Sequence, residues 1–169
     1  LLGGRRVQDP QRPYPAGWGY WPAAAGLFSF VWLELASPDP GSLTAIKVWI
    51  LCYAATMLLG ARIFGSRWFA RADPFEVYSV AVSRLAPFRR NLETGRVVVG
   101  SPLDHLPTMP IRPGAVAVMA VLLGSTAFDS FSQFKGFRDF VDRHAAAVPF
   151  VGDAGGGSAL RTAGLLLFV

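Results

Sequence analysis

The chain has 169 residues, of which 52% are hydrophobic and only 16% are charged, and its mean hydropathy is +0.37. Since soluble domains carry about 25% charged residues, this composition argues against an ordinary soluble domain. The net charge of +5 does not indicate nucleic acid binding, because the arginines collect between apolar stretches. The single cysteine, Cys52, rules out a disulfide framework, and we expect no metal or other cofactor.

The first half of the chain predicts a membrane-embedded helical hairpin. Residues 20–36 and 43–64 are apolar stretches of about the length that crosses a bilayer. Trp18, Trp21 and Trp32 lie near the ends of the first stretch, as aromatic residues do at membrane interfaces. Residues 37–42 contain two prolines, an Asp and a Gly, which predicts a tight turn between the two spans.

Residues 65–113 form a polar loop in which two short elements are predicted. Asp73, followed by Pro and then by Glu76, is typical of a capped helix start, and the helix would extend over residues 74–85. One side of it carries the apolar residues Phe75, Tyr78, Val82 and Leu85. That side fits a membrane surface or, equally, the underside of another domain. Residues 91–100 predict a β-hairpin that turns at Thr94-Gly95.

The second half of the chain predicts a third span over residues 114–134 and part of a fourth over residues 159–169. The glycine-rich residues 152–158 predict a flexible link between them. We therefore expect an all-α, polytopic transmembrane helical bundle with three full spans and a truncated fourth. The chain would be a fragment of one transmembrane domain, and its partners would be the lipid bilayer and the missing remainder of the same chain.

The distribution of arginines predicts the orientation. Arginines precede the first span and are frequent within residues 65–113, and positively charged loops stay in the cytoplasm. Residues 1–19 and 65–113 are thus predicted to be cytoplasmic in a multi-pass protein of the bacterial inner membrane. The turn at residues 37–42 and the segment 135–158 would face outward.

Two charged residues, Glu34 and Lys47, lie within the first two spans, one on either side of the turn. In an antiparallel hairpin they would lie at a similar depth. Because charges inside spans are costly, they usually pair or line a pathway. The pair is therefore either a substrate or proton site near the outer face, or a structural ion pair whose side chains reach the interface.

The far end of the third span is unusually polar. Ser125 and Thr126 precede Asp129 by four and three residues, so these side chains share one helical face. Gly124 would allow a break in the helix, as in many transporters. Alternatively, the span ends near Gly124 and the hydroxyls bond to their own helix. In a continuous helix, Asp129 would reach the same outer third of the membrane as Glu34 and Lys47.

The remaining polar residues point to no known catalytic centre. His105 and His144 fall on opposite sides of the membrane by the charge argument, so they cannot share a metal within this chain. The sequence has no nucleophile elbow, zinc-protease motif or phosphate-binding loop.

Four stretches resemble, in matching order, a family of polytopic membrane proteins, mostly from actinobacteria, that are labelled fenitrothion hydrolase. The stretches are residues 17–23 (Gly-Trp-Gly-Tyr-Trp-Pro-Ala), 30–35 (Phe-Val-Trp-Leu-Glu-Leu), 73–79 (Asp-Pro-Phe-Glu-Val-Tyr-Ser) and 123–130 (Leu-Gly-Ser-Thr-Ala-Phe-Asp-Ser). The resemblance implies a membrane-bound enzyme that hydrolyses organophosphate triesters, and it assigns no residue a role.

Three functions follow as hypotheses. The first is a transporter or permease for a small molecule, with Glu34, Lys47, Ser125, Thr126 and Asp129 near its pathway. The second is the membrane-bound hydrolase that the resemblance implies. The third is a structural subunit whose loop helix docks a partner.

Overall fold

The computed structural model describes residues 12–90, 95–101, 103–104, 111–148 and 152–169, without the side chains of residues 89 and 152–154. The described chain is mostly helical. Its elements are α1 (Trp21–Leu35), α2 (Leu43–Phe64), α3 (Ser66–Ala72), α4 (Pro74–Ser83), β1 (Phe88–Arg90), β2 (Val97–Val99), α5 (Ala115–Ser132), α6 (Lys135–His144) and α7 (Gly152–Phe168).

Two of the described helices, α2 and α5, are long and apolar enough to cross a membrane by length and composition. Helix α1, with 15 residues, is shorter than the predicted first span. Three full spans are therefore not established, although the boundaries of α1, α2 and α5 agree with the prediction to within two residues. The tight turn predicted at residues 37–42 does separate α1 from α2.

Helix α1 forms the centre of the fold, and its residues Ala23, Ala24, Leu27 and Val31 are buried. Helix α5 packs beside it in parallel, because both helices begin at the same place. There the N–H of Tyr20 donates to the carbonyl of Pro113 at 2.7 Å. Gly114 has φ +82 and lies so close to Trp21 that an added Cβ would be 2.6 Å from the Trp21 nitrogen.

Helix α7 runs antiparallel to α1 and begins at Gly152, so the prediction of a flexible link over residues 152–158 is wrong. The glycines of this helix allow a neighbouring segment to approach it closely. An added Cβ at Gly156 would lie 1.9 Å from the carbonyl oxygen of Ala145. Small residues permit this kind of backbone contact between elements.

After α2 the chain doubles back along it. Gly65, with φ +67, starts the reversal, and Trp68 of α3 packs directly on Gly60. Farther along, the ring of Phe75 contacts the rings of Tyr53 at 5.6 Å and Trp49 at 6.3 Å between centroids. Since residues 60 and 49 are about 16 Å apart along a helix, the α3–α4 corner lies well back toward the middle of α2.

Helix α4 has the predicted cap and packs inward through residues outside its predicted apolar side, which leaves both interpretations of that side open. The Asp73 carboxylate accepts from the N–H groups of Phe75 at 2.9 Å and Glu76 at 3.3 Å. The helix ends at Ser83 rather than residue 85, and it buries Val77 and Ala81. The predicted apolar side is exposed; it comprises Phe75, Tyr78, Val82 and Leu85.

The predicted β-hairpin is present, with its first strand slightly earlier in the chain. Strand β1 pairs antiparallel with β2, and Phe88 lies opposite Val99. Gly95 has φ +68, as a tight turn requires. Thr94 and the rest of residues 91–94 lie outside the described residues.

A cavity of about 430 Å³, here called the apolar cavity, separates α1 from α2. It is lined by Pro22, Ala25, Gly26, Ser29, Trp49, Cys52, Tyr53, Thr56, Met57, Trp68, Ala72 and Pro74. Among its polar groups the buried indole N–H of Trp68 has no hydrogen-bond partner in the described chain, whereas two others are bonded within the protein. The indole N–H of Trp49 donates to the Ser29 hydroxyl at 3.0 Å, and the Thr56 hydroxyl donates to the Cys52 carbonyl at 2.7 Å.

Candidate functional site

A polar cleft lies at the end of the molecule where α1 and α5 stop. It consists of two adjoining cavities of about 220 Å³ and 460 Å³, which share Glu34 and Leu35 in their walls. We call the two together the charged cleft. The smaller cavity is formed between α1 and α5, and the larger one is closed by α6 and α7.

The smaller cavity brings together four of the five residues singled out from the sequence. Glu34, on the last turn of α1, faces Ser125, Thr126 and Asp129 of α5 across it. Lys47 is exposed on α2 and lines neither cavity. Within the described residues Glu34 and Lys47 form no ion pair, so the proposed structural pairing is not observed.

The placement of Asp129 depends on the continuity of α5. The helix runs unbroken from Ala115 to Ser132, so it neither breaks at Gly124, as that glycine would allow, nor ends there. Gly124 instead allows α7 to approach, since an added Cβ would lie 2.4 Å from the carbonyl oxygen of Phe168. An unbroken helix carries Asp129 to the level of Glu34.

The two hydroxyl groups in the smaller cavity already donate their hydrogen bonds within the protein. Ser125 and Thr126 both donate to the carbonyl of Leu122, at 3.1 Å and 2.9 Å. A hydroxyl that donates in this way keeps lone pairs that can accept. With two carboxylates added, the polar groups of this cavity are hydrogen-bond acceptors.

The larger cavity adds two guanidinium groups and a third carboxylate. Arg138 and Asp142 come from α6 and Arg161 from α7, and Glu34 reaches this cavity too. Two hydrogen bonds that flank Arg161 fix α7 to the end of α1. Ser158 donates to the Ala36 carbonyl at 2.6 Å, and the Trp32 indole donates to the Thr162 hydroxyl at 2.8 Å.

The five charged residues of the charged cleft are Glu34, Asp129, Arg138, Asp142 and Arg161. None of them forms an ion pair with another residue in the described part of the chain. Helix α6 shows the contrast, since Lys135 and Asp139 on its outer side do pair, at 2.6 Å. The cleft is thus lined by side chains of opposite charge that form no ion pairs with one another.

Sequence reasoning missed Arg138, Asp142 and Arg161. Arg161 had a signal, because it is the one charged residue within the apolar residues 159–169, and such charges are usually functional. Arg138 and Asp142 are four residues apart on an amphipathic helix, where a solvated face is the ordinary interpretation.

The histidines contribute nothing to the charged cleft. His144 is exposed, and its Nδ1 lies 2.8 Å from the Phe140 carbonyl oxygen of its own helix. His105 lies outside the described residues. The described ranges contain no group of three His, Cys, Asp or Glu residues that could hold a metal ion.

Comparison with models of protein families, with curated proteins and with solved structures found no match to this chain. The resemblance to the fenitrothion hydrolase family therefore stays a prediction from the sequence.

Proposed function

We propose that this chain is part of a multi-pass protein of the bacterial inner membrane that binds a small polar solute at the charged cleft, as a transporter or permease does. The observation that carries the proposal is the shared cavity of Glu34, Ser125, Thr126 and Asp129. Ionisable side chains within transmembrane segments are typical of solute or ion pathways, and Glu34 and Asp129 lie within the predicted first and third spans. The apolar character of α2 and α5 supports the membrane location.

The proposed orientation follows the arginine distribution. Residues 1–19 and the two ends of the 65–113 segment would face the cytoplasm, with the α3–α4 corner reaching back along α2. The charged cleft would open to the outside. The bilayer itself and a small-molecule solute are the proposed partners, and no nucleic acid is expected.

Thiol accessibility in intact cells tests the proposal. The full chain would carry Asp129→Cys in a Cys52→Ala background, so that the new thiol is the only one within residues 1–169. A membrane-impermeant maleimide added from outside should label it. The matched control is Leu123→Cys, which lies on the same helix with its side chain 70% exposed. We expect that side to contact lipid and to remain unlabelled.

Two outcomes would contradict the proposal. If Asp129→Cys is unlabelled in both intact and permeabilised cells, water does not reach the cleft. If labelling requires permeabilisation, the cleft faces the cytoplasm and the orientation is wrong. Equal labelling of Leu123→Cys would remove the argument that α5 is embedded in the membrane.

A second proposal, hydrolysis of organophosphate triesters, follows from the family resemblance and from one feature of the charged cleft. Glu34 or Asp129 could act as a general base toward water, while Arg138 and Arg161 could bind a phosphoryl oxygen. The purified full chain would be assayed with an aryl phosphotriester that releases a nitrophenol. Asp129→Asn should then slow the release by about 10²-fold, and a wild-type protein that releases no nitrophenol would eliminate this proposal.

A further inference from the structure

The two cavities of the charged cleft differ in the hydrogen-bonding groups that they offer. The smaller one presents the carboxylates of Glu34 and Asp129 and the hydroxyl oxygens of Ser125 and Thr126. All four side chains accept hydrogen bonds there. A ligand group that fits must donate several bonds and carry positive charge, as a primary ammonium does with its three donors.

The larger cavity offers what the smaller one lacks. Arg138 and Arg161 carry only hydrogen-bond donors, and they line this cavity together with the carboxylates of Glu34 and Asp142. Guanidinium groups bind carboxylates and phosphates through paired hydrogen bonds. An anionic ligand group would therefore bind near Arg161. The hydrogen bonds of Ser158 and Thr162 hold this residue near the end of α1.

The charges remain available because the protein does not pair them internally. Glu34 lines both cavities, so the cavity with acceptors only adjoins the cavity that holds the two arginines. Across the described residues, neither arginine and none of the three carboxylates has an ion-pair partner. A ligand with separated opposite charges would satisfy both sides at once, whereas a singly charged ligand would satisfy one.

We propose that the charged cleft binds a small zwitterion, with its ammonium group between Glu34 and Asp129 and its carboxylate or phosphate group toward Arg138 and Arg161. This inference rests on the proposed function and names the class of solute. A cleft of two cavities totalling several hundred Å³ is in the size range of small-molecule sites.

The test uses the purified full chain in detergent and follows thermal unfolding by tryptophan fluorescence. The zwitterionic probes are β-alanine and phosphoethanolamine. Ethanolamine, propionate and inorganic phosphate are the matched probes with one kind of charge. We expect the zwitterions to raise the unfolding temperature in a saturable manner, and the other three probes to have little effect at the same concentrations.

Charge variants then locate the site. Asp129→Asn and Arg161→Gln should each weaken zwitterion binding by about tenfold or more. The control is Lys135→Gln, which removes an exposed cation of α6 that lies outside the cleft. Circular dichroism of each variant separates lost binding from lost folding.

Phosphatidylethanolamine carries the same pair of charges, so a lipid headgroup is the second source of this chemistry. If micelles doped with this lipid stabilise the protein and phosphatidylglycerol does not, while the soluble probes also act, both sources are supported. Stabilisation by the lipid alone assigns the site to a headgroup. In either case, Asp129→Asn and Arg161→Gln should weaken the stabilisation.

The inference fails if no zwitterion shifts the unfolding temperature, if the singly charged probes shift it equally, or if Lys135→Gln weakens binding as much as Arg161→Gln. Its failure can be distinguished from failure of the proposed function. Thiol labelling of Asp129→Cys without zwitterion binding leaves an accessible cleft for another solute. Zwitterion binding in detergent without labelling in cells leaves the binding site but removes its exposure to the outside.

Discussion

The apolar cavity and the charged cleft both use α1 as a wall, yet of the two only the charged cleft has charged side chains in its lining. In the apolar cavity, Ser29 and Thr56 have their hydroxyls engaged by neighbouring groups of the protein. In the charged cleft, Glu34 and Arg161 have no ion-pair partner in the described chain. A buried polar group without a partner is costly, whereas a solvated charge is not. The unpaired charges of the charged cleft are therefore the groups that remain available to a ligand.

The largest expected effect is on the packing beneath the charged cleft. Phe128 is fully buried, and its ring contacts Phe137 at 5.8 Å and Phe168 at 5.7 Å between centroids. Phe128→Ala should destabilise the fold by about 3–5 kcal/mol, measured by denaturant titration in micelles. Phe134→Ala, at a ring that is 65% exposed, is the control and should change stability little. Similar losses in both variants would show that α5, α6 and α7 are not joined through Phe128.

The next effect concerns the support of the apolar cavity. An added Cβ at Gly60 would lie 2.0 Å from Cε2 of Trp68, so Gly60→Ala should push α3 away from α2. We expect a loss of about 1–3 kcal/mol, as for other overpacked sites. Gly17→Ala is matched to it, because nothing lies within 4 Å of that position. Thermal unfolding of the two variants gives the comparison, and an unchanged Gly60→Ala would mean that α3 does not pack on α2.

A smaller effect is expected at the corner between α3 and α4. Asp73→Ala removes the acceptor for the N–H groups of Phe75 and Glu76, and loss of such a cap costs about 1 kcal/mol. Asp73→Asn, which retains a capping oxygen, should restore most of the stability. Hydrogen exchange of the first turn of α4 would report the change locally. If the alanine variant exchanges no faster than the wild type, the cap does not hold this corner.

The smallest stability change should come from the charged cleft itself. Asp129→Asn and Arg161→Gln remove charges that have no partner in the described protein, so each should alter the free energy of unfolding by about 0.5 kcal/mol or less. The same variants should lose zwitterion binding. A loss of stability above about 2 kcal/mol would show that these residues stabilise the fold. The charged cleft would then not differ from the apolar cavity in this respect.

The positions of α1, α2 and α5 could be predicted from the sequence because long apolar stretches and the prolines between them act locally. The return of α3 along α2 could not be predicted. It depends on Trp68 packing against Gly60, and no sequence periodicity connects these two residues. Glycine-rich residues 152–158 were interpreted as a link because composition alone does not show that Ala145 approaches Gly156.

The candidate site was predictable to a similar degree. The shared depth of Glu34 and Asp129 follows from counting residues along two helices, and the structure places both in one cavity. The two arginines of the cleft were not predicted, because Arg161 reaches it only when α7 packs across the end of α1. That return is fixed by the bonds of Ser158 and Thr162, which join residues more than a hundred positions apart.

The hydrogen bond between Tyr20 and Pro113 has a consequence for how the chain could be extended. It fixes the starts of α1 and α5 at one end of the molecule, and α2 has already returned the chain to that end before Gly65. The segment from Gly65 to Pro113 therefore begins and ends at the same end of the molecule. A whole domain inserted at the β1–β2 turn would leave the direction of α5, α6 and α7 unchanged, and the charged cleft would keep its orientation.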